Sequence, residues 1–192
     1  KFLFNKASDN GGSVYVRSYG THSITNCYSN GNRVEKGSFQ YMVTTCPNNN
    51  NNAARSFTFK HNVMDDAAAN DRSCFHAKLY AADTVEFENN TITNCRTAGS
   101  YGNNCYCGLD LENDINEFVF TGFSFINNEN TIKETMGGCG LLINGKENCR
   151  LTLRGILFQG NTAHQNGGGW AILGTRNDET VRTILTLEDC TF

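Results

Sequence analysis

The opening segment KFLFNKASDNGGSVYV (1–16) and the late segment ILFQGNTAHQNGGGWAIL (156–173) follow one pattern: a Phe, an Asn three residues on, and a Gly pair nine residues after the Phe. Searching outward from Phe2 and Phe158, an aromatic residue or Ile followed by Asn and then Gly recurs at Tyr28, Phe59, Ile92 and Phe125, with Phe192 opening a seventh unit. The gaps are 26, 31, 33, 33, 33 and 34 residues. A period in that range is the mark of a solenoid or a propeller, because each repeat is one unit that buries its apolar face only against its neighbours. Asn5, Asn62, Asn128 and Asn161 each follow their anchor by three residues, while the Tyr28 and Ile92 units carry Asn30, Asn32 and Asn94 nearby. Gly11–Gly12, Gly137–Gly138 and Gly167–Gly168 come next.

Each unit closes with a β-rich stretch, such as VEFENNTI, EFVFTGFSF, CRLTLRGILF or TILTLEDCTF. A propeller blade needs about four strands. Each unit here offers three: one at the anchor, one after the glycines and one before the next anchor. Three strands per turn predict an all-β parallel β-helix of about six coils, 26–34 residues each, occupying residues 1–192 as a single domain. With strands about 4.8 Å apart, six coils make a rod of roughly 30 Å. Phe57/Phe59, Phe123/Phe125 and Ile156/Phe158 alternate as half-buried strands do, and stacking sets ring upon ring. The Asn column is expected at one bend, where Asn tolerates the left-handed conformation and its amide can bond to the Asn of the next coil. The Gly pair is expected at a second bend.

Composition agrees. The chain has 27 asparagines and 19 glycines against one proline, which suits many turns between short strands. A net charge of −3 without a Lys/Arg run gives no basis for a nucleic-acid or anionic-membrane partner. No apolar stretch approaches 18 residues, so no direct membrane insertion is expected. Nine cysteines without metal-site spacing point to an oxidising, extracellular or cell-surface setting.

The FxxN segments (Phe2–Asn5, Phe59–Asn62, Phe125–Asn128, Phe158–Asn161), with GGSV at 11–14, GGCGLL at 137–142 and GGWAI at 168–172, resemble the repeat of chlamydial polymorphic outer-membrane proteins and similar protist surface proteins. That resemblance implies a right-handed β-helix in a cell-surface protein, often adhesive.

Several residues bear on chemistry. Cys107 and Cys139 precede Gly-Leu in CGLDL and CGLLI, and Cys74 lies 33 residues before Cys107. Stacked on successive coils, these three would come within disulfide range, and no metal site or cofactor is expected. Asp65, Asp66, Arg72 and His76 gather in the third unit, where an acid–base or lyase centre would be sought. Adjacent aspartates on a strand point to opposite faces, however, and turn carboxylates are ordinarily solvated. Trp170 could offer a flat face to a glycan, and Asn89-Asn90-Thr91 is a glycosylation sequon. Lys1-Phe2 and Thr191-Phe192 lie inside units, which suggests ends covered by further coils or by neighbouring molecules. The sequence therefore predicts a non-enzymatic structural or adhesive surface segment whose partners are itself, end to end, or host or matrix glycans. A polysaccharide lyase or a glycan-binding module on the same rod is the alternative.

Overall fold

The computed structural model describes residues 1–7, 14–18, 21–34, 40–44, 56–69, 75–80, 84–97, 107–112, 117–131, 141–145, 150–163, 170–174 and 184–192. Those residues are strand-rich, with no helix among them. Their strands form four parallel sheets, and the chain visits the four in rotation, so each sheet takes every fourth strand. The first sheet holds Phe2–Leu3, Tyr28–Asn30, Val63–Asp65, Thr91–Thr93, Ser124–Ile126 and Leu157–Gln159. Two-residue strands make the second: Lys6–Ala7, Arg33–Val34, Ala68–Ala69, Arg96–Thr97 and Glu129–Asn130. The third runs from Val14–Ser18 through Gln40–Thr44, Phe75–Tyr80, Cys107–Glu112 and Leu141–Gly145 to Trp170–Gly174. The fourth runs from His22–Thr25 through Ser56–Lys60, Thr84–Glu88, Glu117–Thr121 and Arg150–Arg154 to Ile184–Glu188. Three strands per unit was the expectation; the fourth is too short to show an alternation of its own.

Register corrects two anchors. Along the first sheet Phe2 is level with Ser29, then Met64, Ile92, Phe125 and Phe158. Pairing of Leu157 with Thr191 brings Phe192 onto the end of that column, where its ring stacks on Phe158 at 5.4 Å. Ser29 thus replaces Tyr28, and Met64 replaces Phe59. Phe59 belongs to the fourth sheet, in the column Ile24, Phe59, Phe87, Phe120, Leu153, Leu187. Sequence separations between stacked partners are accordingly 27, 35, 28, 33, 33 and 34 residues.

The core lies under the first and fourth sheets. Phe59, Phe87, Phe120, Phe123 and Phe125 are buried, and rings stack at 4.6 Å for Phe87–Phe120 and Phe123–Phe125 and 5.3 Å for Phe125–Phe158. Burying each Phe contributes about 1.5–3 kcal/mol, and well-placed ring pairs add roughly 0.5–1.5 kcal/mol.

Candidate functional site

Two corners flank the first sheet: a leading corner, where the chain arrives from the fourth sheet, and a trailing corner, where it leaves for the second. Both use one local device, an inward residue two positions before a residue with positive φ, with a second inward residue directly after it. Positive φ falls on Asn26, His61, Asn89, Gly122, Gly155 and Asp189 at the leading corner. At the trailing corner it falls on Phe4, Gly31, Asp66, Asn94, Asn127 and Gly160. Glycine is required where the side chain at this position in the preceding coil lies across it. A Cβ on Gly122 would meet Asn89 Oδ1 at 2.1 Å, and one on Gly160 would meet Asn127 Oδ1 at 2.3 Å.

Hydrogen bonding explains the asparagines. The N–H of every positive-φ residue from Phe4 to Gly155 donates forward to the next coil, as Asn89 does to Thr121 O at 2.8 Å. Two residues later the N–H donates backward, as Thr91 does to Asn62 O at 2.8 Å. The inward residue between them is passed over by this backbone ladder, and a buried unpaired N–H costs about 1–3 kcal/mol. For Asn5, Cys27, Asn62, Cys95 and Asn128 an Asn in the next coil supplies the acceptor. Asn128 Oδ1 accepts from Cys95 N–H at 3.0 Å while Asn128 Nδ2 donates to Ile92 O at 3.1 Å. Asn161 treats Asn128 in the same way, taking both its N–H and its Nδ2, and donates to Phe125 O. Asn32 does so for Asn5 and Phe2 O.

Asn62 sits elsewhere than expected. Asn5, Asn128 and Asn161 line the trailing corner together with Asn32, whereas Asn62 lines the leading corner, bonded to Cys27 N–H and Ile24 O. Asn90 bonds in turn to Asn62 and Phe59 O. Asn32, read only as a neighbour of Tyr28, and Asn90, which the repeat left unread, are inward residues of the same kind. Their signal is the same Asn directly after a positive-φ residue, hidden in Asn90's case inside the sequon.

Of the residues where an acid–base centre would be sought, Asp65, Asp66 and His76 stand on different elements. Asp65 faces outward on the first sheet, where its carboxylate accepts from Asn30 Nδ2 at 2.9 Å and Asn94 Nδ2 at 2.8 Å, one from each neighbouring coil. Asp66 sits at the trailing corner and pairs with Arg33 at 3.1 Å. His76 is on the third sheet, level with Tyr41 and Gly108, and Arg72 lies outside the described residues. Among the described residues no group of three or more His, Cys, Asp or Glu is arranged to hold a metal ion.

Cys107 is level with Phe75 on one side and Leu141 on the other, while Cys74 and Cys139 lie outside the described residues. Cys27, Cys95 and Cys190 are free thiols in inward corner positions, where they act as small apolar residues. Trp170 is level with Leu141 on the third sheet. Asn89 is exposed at its corner, its amide donating to Glu88 Oε1 at 3.3 Å. The expected Gly–Gly bends also fall outside the described residues. No helix among the described residues is long and apolar enough to cross a membrane.

The outward face of the fourth sheet carries the densest charge pairing. Lys60 Nζ lies 3.1 Å from Glu86 Oε2 and 3.2 Å from Glu88 Oε2, and Arg154 Nε lies 2.6 Å from Glu188 Oε2. Hydrogen bonds to Glu86 and Glu88 raise the Lys60 pKa above the ordinary value of 10.5, and the bond to Glu188 raises that of Arg154. Between the two groups Val119 and Thr121 are short, which leaves an open depression of about 320 Å³ bordered by Lys60, Glu86 and Glu88. Compared with family models, with characterised proteins and with solved structures, the chain has no match.

Proposed function

We propose that the chain is part of a right-handed parallel β-helix serving as a non-enzymatic structural and adhesive scaffold at the cell surface or outside the cell. It displays coil-specific loops or builds a filament or coat. The observation that carries this reading is the use made of Asp65 and Asp66. The carboxylates best suited to chemistry are taken up by Asn30, Asn94 and Arg33 in adjacent coils, so they fasten coil to coil. The resemblance to surface-protein repeats and the abundance of cysteine support the same reading. Its partners are further β-helical coils stacked end to end, and glycans of a host or matrix. Asn89 is its glycan attachment point, expected as a mass shift that a glycosidase removes.

The test is a pair of measurements on wild type and Asp66→Ala. Incubation with polyuronate and Ca²⁺ should yield no unsaturated product from either protein, and Asp66→Ala should unfold at a lower temperature. Product that forms with wild type and disappears with Asp66→Ala would replace the scaffold by a lyase. Labelling of intact cells with a membrane-impermeant amine reagent should modify the protein; protection from the reagent would place it inside the cell.

A further inference from the structure

The outward face of the fourth sheet has an order of charges that bears on assembly. Along one row, beyond Thr25 on the first strand, the stacked residues of the other five strands read Lys60, Glu88, Thr121, Arg154, Glu188, that is plus, minus, neutral, plus, minus. Turned over about the central strand Glu117–Thr121, this row meets itself with every sign opposed: Lys60 faces Glu188, Glu88 faces Arg154, and Thr121 faces Thr121. The neighbouring row, Thr58, Glu86, Val119, Thr152, Thr186, turns over equally well, with Glu86 facing a Thr152 hydroxyl and Val119 facing Val119. Self-complementarity about a two-fold axis is what an isologous interface requires.

We infer that the outward face of the fourth sheet binds a second copy of this chain, the two stacks lying side by side and antiparallel about an axis along Glu117–Thr121. Each half of the interface then holds a square of alternating charges, Lys60 and Glu88 of one copy over Glu188 and Arg154 of the other. The depression at Val119 and Thr121 gives the long side chains beside the axis room to interleave. Five strands about 4.8 Å apart and five residues about 3.3 Å long make a face of roughly 19 by 17 Å. At roughly 320 Å² per copy it falls well below the about 800 Å² of a standard interface, so the dimer is weak and transient and loosens as salt rises. This lateral contact is separate from the end-to-end association proposed above.

Sedimentation of the purified chain at low ionic strength tests it, using charge-swapped variants. The double swap Arg154→Glu with Glu188→Arg preserves that pair but sets like charges opposite Glu88 and Lys60. Its dimer should dissociate at least about tenfold more readily, a loss of about 1.4 kcal/mol, with its thermal midpoint close to that of wild type. The swap Lys60→Glu with Glu88→Lys should weaken the dimer likewise; it keeps a pair between positions 60 and 88 but loses Lys60–Glu86, so its thermal midpoint should fall somewhat. An equimolar mixture of the two variants should dimerise again, because both ends of that heterodimer are complementary. Wild type that stays monomeric, a swapped variant that dimerises as wild type does, or a mixture that stays monomeric would each overturn the inference. Growth into longer species that ignore the swaps would show that only ends associate.

Discussion

The two corners of the first sheet are built alike and filled differently. Both pass over one backbone N–H, and both answer with an inward Asn, but the Asn changes corner along the stack. Asn5 and Asn32 stand at the trailing corner, Asn62 and Asn90 at the leading corner, and Asn128 and Asn161 at the trailing corner again. Where the Asn is at one corner, the other corner of that coil holds an apolar residue: Cys27, Ala67, Cys95, Phe123 or Ile156. One amide per coil fastens a bend, and the opposite bend is given over to the core. Where the next coil carries the Asn, the passed-over N–H is matched, and the core is never interrupted on both sides of one strand.

The largest effect should come from the apolar side of this exchange. Phe123→Ala leaves a cavity among Phe120, Phe125 and their neighbours and should cost about 3–5 kcal/mol, read from chemical denaturation. On the polar side, Asn128→Ala strands the N–H of Cys95 and the carbonyl of Ile92, and Asn90→Ala strands the N–H of Asn62 and the carbonyl of Phe59. Each should cost about 3 kcal/mol, at about 1–3 kcal/mol for each orphaned group. Equal losses support equivalent corners; a loss at one alone breaks the comparison.

Glycine sharpens it further. Gly122 and Gly155 have nearly the same φ, 61° and 60°, but only Gly122 lies under the Asn89 amide. Gly155→Ala should cost about 1–2 kcal/mol for the left-handed conformation, whereas Gly122→Ala should cost more, with the excess relieved by Asn89→Gly. The smallest effect is at the surface. Because Glu86 and Glu88 raise the Lys60 pKa in the folded state, their pairing stabilises below about pH 10.5 and is lost as pH rises beyond it. Lys60→Met should therefore flatten the alkaline limb of a stability–pH profile by a small amount.

The corner device also shows what the sequence reveals and what it conceals. Parallel stacking, the phenylalanine columns and the bonded asparagines are legible because neighbouring coils repeat the same demands at Phe125–Asn128 and Phe158–Asn161. Phe59–Asn62 misleads because Phe-x-x-Asn describes either corner: a strand residue, a turn through positive φ, an inward amide. Ser29 is unreadable as a core residue, being small and polar, though it is buried in the column between Phe2 and Met64. The two-residue strands of the second sheet carry no periodicity, and the scattered roles of Asp65, Asp66 and His76 follow from sheets that the sequence does not separate.

Cross-linking of the third unit tests the register on which all of this rests. In the structure Asp65 is level with Thr93, at the close spacing of paired parallel strands, within disulfide reach. Had Phe59 filled the first-sheet column in place of Met64, Lys60 would stand level with Thr93 instead. Asp65→Cys with Thr93→Cys should therefore form a bridge under mild oxidation, identified by peptide mapping, and Lys60→Cys with Thr93→Cys should not. A bridge in the second pair and none in the first would contradict the account.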